Sequence, residues 1–253
     1  MKKYFNQSYQ WVYQSFSLFK LSARFSLIAG MFYLMFYMFI PATPGLNMLS
    51  PILIILWPFI TVFIVAYYLS ILEKQPYDLK KASGTLKGKF PRFIAIGLLS
   101  IFYTIILSAW VSSDIAEIFA LSQTPDLNRV QLSDFSPILM KALILTTPFL
   151  MLTWFAPLLI AFNNFNFFKS IKSSFAGCLL YFIQILMAWV VILSIFLGSI
   201  FMVTFLISSM SFLSNNLISL LSSFFVLILA TIFIAISFTF QSITYKEIFK
   251  SLP

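Results

Sequence analysis

The stretch that decides the fold is a long apolar run without a single charge. Residues 173–245 read SSFAGCLLYFIQILMAWVVILSIFLGSIFMVTFLISSMSFLSNNLISLLSSFFVLILATIFIAISFTFQSITY. A helix needs roughly 20 apolar residues to cross the hydrocarbon core of a bilayer, so this run holds two such helices. A polar turn at Ser214, Asn215 and Asn216 separates them. The run therefore predicts two membrane spans, at about 176–210 and 217–243.

Four more apolar segments precede this run. They lie at about 22–41, 51–72, 93–112 and 136–162. The whole chain is 61% hydrophobic and 9% charged, whereas ordinary globular domains are about 25% charged. Long continuous runs differ from the short alternating segments of a membrane β-barrel, and helices satisfy their own backbone in lipid. We therefore predict an all-α membrane protein, with a six-helix transmembrane bundle over residues 22–253 and no separate soluble domain.

Residues 1–21 mix aromatic and polar residues without a spanning run. Apolar side chains recur there at helical spacing, at Tyr9, Val12, Tyr13, Phe16 and Phe19. Lysines stand near both ends of the segment. This pattern predicts a cytoplasmic amphipathic helix in the headgroup layer, with a short soluble lead-in as the alternative. No small-residue cleavage site follows, so we expect the first span to be retained.

Basic residues recur on alternate loops. They occupy the N-terminal segment, residues 73–92, residues 164–174 and the C-terminal tail. The intervening 113–134 segment has the opposite balance, with Asp114, Glu117, Asp126 and Asp134 against Arg129. Because lysine and arginine favour the cytoplasmic side, this alternation predicts six spans with both termini in the cytoplasm.

The basic loops are candidate contacts for lipid headgroups or a partner, because clustered cations beside a span attract anionic lipids. The candidate residues are Lys74, Lys80, Lys81, Lys87, Lys89, Arg92, Lys169 and Lys172. The alternative is that these loops only orient the protein in the membrane.

Prolines inside the second and fourth spans predict kinks, since each removes a backbone donor and clashes with the preceding turn. Thr146 and Thr147 could bond the carbonyls that Pro148 frees. Kinked helices can line a cleft, and nearby asparagines could form its polar mouth or simply cap a helix. The candidate cleft residues are Trp57, Pro58, Pro148, Trp154, Pro157, Asn163, Asn164 and Asn166.

Most catalytic and metal chemistry lacks the residues it needs. The chain has one cysteine, Cys178, and no histidine, and no carboxylate occupies a predicted midplane. Asp114 and Glu117, three residues apart, could bind a cation weakly but suit a solvated helix end. Lys141 is expected to snorkel to the interface. We expect no enzyme activity, no metal, no cofactor and no nucleic-acid binding.

Two weaker patterns concern helix packing and duplication. Ser194 and Gly198 form a small-xxx-small pair of the kind that lets helices approach closely. Residues 79–88 can be laid over residues 168–177, and each follows a span with a tryptophan and a proline. Duplication and chance similarity both account for this echo.

Two blocks carry a resemblance to a known family. They are Trp154-Phe155-Ala156-Pro157-Leu158 with its downstream Ser173-Ser174-Phe175 and Cys178, and the tail Ser242-Ile243-Thr244-Tyr245-Lys246-Glu247-Ile248-Phe249. In these blocks the chain resembles an uncharacterised proteobacterial multi-pass inner-membrane protein family. The resemblance implies a bacterial inner (cytoplasmic) membrane protein and carries over no catalytic residue.

The absence of catalytic groups, together with packing faces and basic loops, favours a non-enzymatic accessory or scaffold subunit. Such a protein would act through helix contacts with another integral membrane complex or with membrane lipids. The alternative is a passive transporter or lipid-handling protein with a cleft beside the kinked second and fourth spans.

Overall fold

A computed structural model describes residues 2–122, 135–209 and 214–250. Asp126, Arg129 and Asp134 of the predicted acidic segment lie outside these ranges. The described residues contain helices and turns and no strand. Six helical segments are long and apolar enough to cross a membrane, namely Ala23–Ala42, Asn47–Leu72, Phe90–Ile118, Ser136–Asn163, Phe182–Ser208 and Asn216–Phe249. The predicted all-α fold with six candidate spans is confirmed.

The described helices follow in this order along the chain. They are α1 (Lys2–Leu21), α2 (Ala23–Leu34), α3 (Ile40–Ala42), α4 (Ser50–Leu72), α5 (Leu79–Gly84), α6 (Phe90–Ser122), α7 (Ser136–Thr153), α8 (Ala156–Asn163), α9 (Phe167–Leu180), α10 (Phe182–Ser208) and α11 (Asn215–Tyr245). A π-helical turn at Met35–Phe39 joins α2 to α3, and a second at Lys246–Lys250 follows α11.

The third span is longer than the sequence predicted. The prediction ended it at residue 112 and began a loop at 113, whereas α6 continues to Ser122. Asp114, the first acidic residue of this extension, has a partner on the next helix, because Lys141 Nζ on α7 lies 2.7 Å from Asp114 Oδ2. A carboxylate that has a cationic partner on the next helix does not have to leave the helix for water. The same pair also gives Lys141 a partner within the protein, where snorkelling alone was predicted.

The fourth span breaks near one of the two prolines that were predicted to disturb it. The break falls at Trp154 and Phe155, just before Pro157. At the other proline, Pro148, the helix α7 is continuous. Thr146 Oγ1 shares a hydrogen bond with Tyr103 of α6 instead of bonding a freed carbonyl.

A serine from α9 fills that break. In a continuous helix the Phe155 N–H would donate to the Met151 carbonyl, four residues earlier. Instead it donates to Ser174 Oγ at 3.0 Å, and this hydroxyl donates to the Met151 carbonyl at 2.9 Å. Ser174 is completely buried. Insertion of a side chain into the helical ladder is a recognised cause of a kink.

The fifth span starts later than predicted. The prediction began it at residue 176, but α9 ends at Leu180 and α10 begins at Phe182, with a turn at Tyr181 between them. The charge-free sequence across this junction gave no sign of the break.

The chain divides into two compact units. The first comprises Met1–Leu53, Ile60–Gly84 and Gly177–Pro253, and the second comprises Ile54–Phe59 and Thr85–Ala176.

The core of the first unit is the C-terminal half of α11, where residues 238–245 are all buried. The helices α1, α2 and α10 pack around it. Trp11 of α1 contacts the rings of Tyr181 and Phe240, at centroid distances of 6.0 and 6.4 Å. On α2, Gly30 permits a close approach, since a Cβ there would overlap the Thr231 carbonyl.

The predicted helix at residues 1–21 is present, and only part of its predicted apolar face is buried in the protein. The buried side chains are Ser8, Trp11, Val12, Ser15 and Leu18, whereas Tyr9 and Tyr13 are 64% and 66% exposed. A tyrosine carries a polar tip that favours the outer side of such a helix, so the tyrosines turn outward while serines bond their own backbone. The position of α1 in the headgroup layer stays a prediction.

The core of the second unit is α8 with the residues just before it. Every residue from Phe155 to Ile160 is buried, and all of them except Pro157 are 0% exposed. Helix α6 packs against α7 through the stacked rings of Tyr103 and Phe149, whose centroids are 3.9 Å apart. Gly97 of α6 lies against residue 55, because a Cβ on Gly97 would be 2.6 Å from Ile55 Cα.

Candidate functional site

The C-terminal end of α8 is where the predicted basic and asparagine residues meet. The helix ends at Asn164, whose φ of 54° and ψ of 32° are left-handed. The last carbonyls of a helix have no partner within it, and cations are favoured beside them. Lys89 Nζ donates to the Ala161 carbonyl at 2.7 Å. The chain thus supplies a lysine from the basic loop to complete the end of α8.

Arg92 and Lys169 complete the same end. Arg92 Nη1 donates to Asn164 Oδ1 and to the Phe165 carbonyl, both at 3.2 Å. Lys169 Nζ lies 4.1 Å from the centre of the Phe165 ring, a cation–π distance. Asn166 Oδ1 accepts a hydrogen bond from the Lys169 backbone N–H at 2.8 Å and so caps the start of α9. The six residues Lys89, Arg92, Asn164, Phe165, Asn166 and Lys169 are called the α8 cluster below.

The electrostatics of the α8 cluster are one-sided. Burial lowers the pKa of Lys89, and the neighbouring positive charge of Arg92 lowers it further. Every acidic residue between positions 85 and 176 falls between 114 and 134 in the sequence, distant along the chain from the cluster. The three cations of the α8 cluster, Lys89, Arg92 and Lys169, therefore have no carboxylate close to them in the sequence.

The remaining basic candidates lie on the surface or outside the described side chains. Lys87 and Lys172 are exposed, as are Lys74 and Lys80 in the first unit. Lys74 has a left-handed φ of 54° just after α4, and Asp78 Oδ1 accepts a hydrogen bond from the Lys80 backbone N–H. Lys81 belongs to α5, but its side chain is not among those described. The basic candidates therefore fall into both units.

The candidate cleft residues do not converge on one place. Trp57 donates from Nε1 to Ser100 Oγ of α6 at 3.0 Å, and Pro58 is buried beside it. Trp154 packs edge-on against Phe155 in the break, and Pro157 is buried in the first turn of α8. Pro148 and Asn163 are exposed, while Asn164 and Asn166 belong to the α8 cluster. The two asparagines act as helix caps, which is the alternative that the sequence left open.

An apolar recess of about 170 Å³ lies in the first unit, away from the candidate residues. It is lined by Phe16 of α1 and by side chains of α10 and α11, among them Ile192, Phe196 and Phe233. Among the described residues no group of three histidine, cysteine or acidic side chains could hold a metal ion.

The sequence did not single out two residues that join helices of the second unit. Ser174 joins α9 to the break before α8, and Tyr103 joins α6 to α7. Their hydroxyls bond across 19 and 43 residues, and such bonds leave no local pattern, so neither residue could be recognised without the fold. Ser174 did belong to the block that carried the family resemblance.

The small-xxx-small pair lies on an open face of α10. Ser194 and Gly198 are both exposed, and a Cβ on Gly198 would meet no atom within 4 Å. At Gly97 and Gly30, in contrast, a neighbouring helix of the same chain already occupies the space where a Cβ would lie. The predicted packing pair is therefore unoccupied within the described part of the chain.

Comparisons with known proteins give no further guide to the site. No protein-family model, no curated protein and no solved structure matches the chain.

Proposed function

We propose that this protein is a non-enzymatic accessory or scaffold subunit that binds another integral membrane protein through α10. The observation that carries the proposal is the open pair Ser194 and Gly198. Small residues at this spacing let two helix backbones approach closely in lipid, where packing rather than hydrophobic burial drives association. Glycine inside a helix costs about 1 kcal/mol relative to alanine, so a gain in packing has to offset it.

The polar groups support a structural use of the remaining chemistry. Lys89, Arg92 and Asn164 complete the end of α8, and Asp114 pairs with Lys141. These bonds hold parts of the second unit to one another, which suits a scaffold.

The large apolar surface of α10 supports the same proposal. Phe201, Met202 and Phe205 are each more than 60% exposed, next to Gly198 along the helix. Aromatic residues and methionine are enriched where proteins bind one another. A partner helix seated over Gly198 would bury these side chains as well.

Extraction in native lipid particles tests the proposal. The wild-type protein is expected to copurify with a stoichiometric membrane partner, identified by mass spectrometry. Gly198→Leu should abolish that copurification, because the side chain fills the space that the partner's backbone needs. Leucine has a higher helix propensity than glycine, so the variant itself is expected to insert and fold.

The matched control is Leu193→Phe, which adds bulk to α10 at an exposed position on another face of the helix. Loss of the partner in Gly198→Leu with retention in Leu193→Phe would support the proposal. A wild-type protein that emerges with lipid alone, or equal loss in both variants, would contradict it.

We further propose that the protein lies in the bacterial inner membrane with both termini in the cytoplasm. The charge alternation supports this orientation. Cysteines introduced in a Cys178→Ser background test it with a membrane-impermeant thiol reagent on spheroplasts. Lys87→Cys should be protected and Asp126→Cys should react. The opposite labelling pattern would overturn the orientation.

A further inference from the structure

We propose that the α8 cluster, extended by Lys87 and Lys172, forms a binding site for the phosphate headgroup of an anionic phospholipid. The site would exist whether or not the protein has a partner at α10, so it goes beyond the proposed accessory role.

The position of the cluster in the fold points to a lipid. The third candidate span begins at Phe90 and the fourth ends at Asn163. Lys89 and Asn164 are the residues immediately outside these two ends, and they are held together by contacts at the end of α8. Helix ends of two adjacent spans lie at the level of the headgroups. A site at this depth favours a lipid over a soluble solute as its ligand.

The arrangement of the cations points to an anion. Lys89, Arg92 and Lys169 converge on residues 161–165, where they meet backbone carbonyls and one aromatic ring. Lys172 lies three residues after Lys169 and therefore on the same side of α9. A guanidinium has five N–H donors, and the contacts of Arg92 to the described residues all use Nη1. Arg92 is half-buried and lies in the same cluster as the exposed Lys169, with the exposed Lys172 on the same helix.

The charge balance strengthens this reading. No acidic residue occurs between positions 85 and 113 or between 135 and 176. The loop of the first unit differs, because Lys74 and Lys80 have Glu73 and Asp78 as sequence neighbours. Clustered cations beside a membrane span attract anionic headgroups.

Exposed aromatic rings lie next to the cations in the sequence. Phe168 is 73% exposed beside Lys169, and Phe90 is 56% exposed beside Lys89. The opposite side of α9 is anchored in the protein by buried Ser170 and Ser174. The helix α9 thus presents lysines together with a phenylalanine, the combination found on helices that bind membrane surfaces.

The test uses the full-length protein in detergent, supplied with phosphatidylglycerol or phosphatidylcholine. Native mass spectrometry counts the lipids retained, and thermal unfolding measures the stabilisation that each lipid gives. We expect Lys169→Gln/Lys172→Gln to weaken phosphatidylglycerol retention about 30-fold. The matched control Lys74→Gln/Lys80→Gln removes two exposed lysines from the part of the 73–92 segment that belongs to the first unit, and it should leave retention within about twofold.

A variant that keeps the positive charge distinguishes lost binding from lost folding. Lys169→Arg/Lys172→Arg should retain phosphatidylglycerol as the wild type does. Equal losses in the two glutamine variants would overturn the proposal, as would equal retention of phosphatidylcholine and phosphatidylglycerol. A stabilisation reproduced by inorganic phosphate alone would also overturn it in favour of a site for free phosphate. None of these results depends on a protein partner, so failure here leaves the test of α10 unaffected.

Discussion

At position 174 a single hydroxyl takes the place of one helical hydrogen bond. Ser174 accepts from the Phe155 N–H and donates to the Met151 carbonyl, which would otherwise bond each other. Lipid supplies no water to satisfy either backbone group, so the hydroxyl maintains the bend between α7 and α8. The residue contributes to the fold through the backbone of another helix.

Removing this hydroxyl is therefore expected to destabilise the protein. Ser174→Ala should lower the free energy of unfolding by about 1 to 2 kcal/mol, because two buried backbone groups lose their partner. Unfolding in mixed micelles measures the difference. Ser173→Ala, at the neighbouring half-buried position, should stay within about 0.5 kcal/mol of wild type. Equal stability of the two variants would show that Phe155 and Met151 re-form their own bond.

The ion pair between α6 and α7 is the second determinant at the scale of single residues. The side chains of Lys141 and Asp114 are 29% and 20% exposed, so water screens them only in part. A double-mutant cycle with Asp114→Asn and Lys141→Met should give a coupling energy above the roughly 0 to 1 kcal/mol typical of exposed pairs. A coupling near zero would mean that α6 holds its length for another reason.

At the scale of elements, glycines distinguish packed helix faces from open ones. A Cβ on Gly97 would lie 2.6 Å from Ile55 Cα, and a backbone atom cannot move aside as a flexible side chain can. A Cβ on Gly198 would meet nothing within 4 Å. The same residue type therefore has opposite consequences on α6 and α10.

Alanine at these two glycines provides a matched comparison of stability. Gly97→Ala should destabilise the second unit by about 1 to 3 kcal/mol through overpacking. Gly198→Ala should stabilise the isolated protein by up to about 1 kcal/mol, through its higher helix propensity. Thermal unfolding of the two variants in the same detergent checks both directions. Destabilisation by Gly198→Ala would indicate that α10 already packs there within the chain.

Hydropathy predicted where most helices lie, since transfer into lipid depends on the local sequence alone. The first, second and fourth spans agree with their predicted ranges within a few residues. The prediction ended the third span too early because an acidic residue such as Asp114 indicates a loop, and its pairing with Lys141 cannot be seen in the sequence. The break at Tyr181 was missed because no charge or proline marks it.

The buried face of α1 shows the limit of periodicity. Tyr9 and Tyr13 fit an apolar stripe, but Trp11 and Leu18 are the side chains that the first unit buries. A helix so rich in tyrosine and serine has two plausible faces, and only the surface of α10 and α11 decides between them. The α8 cluster was predictable in part, because its lysines and asparagines were identified but their meeting was not.

At the scale of the whole molecule, each unit is organised around one segment. The block at residues 154–158 opens the core of the second unit, and the tail beginning at Ser242 lies in that of the first. These are the two blocks in which the sequence analysis noted a resemblance, and both contain buried residues. Duplication of the segments around the two basic loops stays a prediction. The spans that precede these loops differ, because α4 is continuous at Pro58 whereas the fourth span breaks before Pro157.

The central claim is that α10 meets another membrane protein at Gly198. A photo-crosslinking amino acid at position 194, one turn from Gly198, tests it most directly in living cells. One discrete cross-linked protein, absent when the probe is moved to position 193, is the predicted result. Adducts with lipid alone at both positions would contradict the account and leave α10 as a surface that faces only the bilayer.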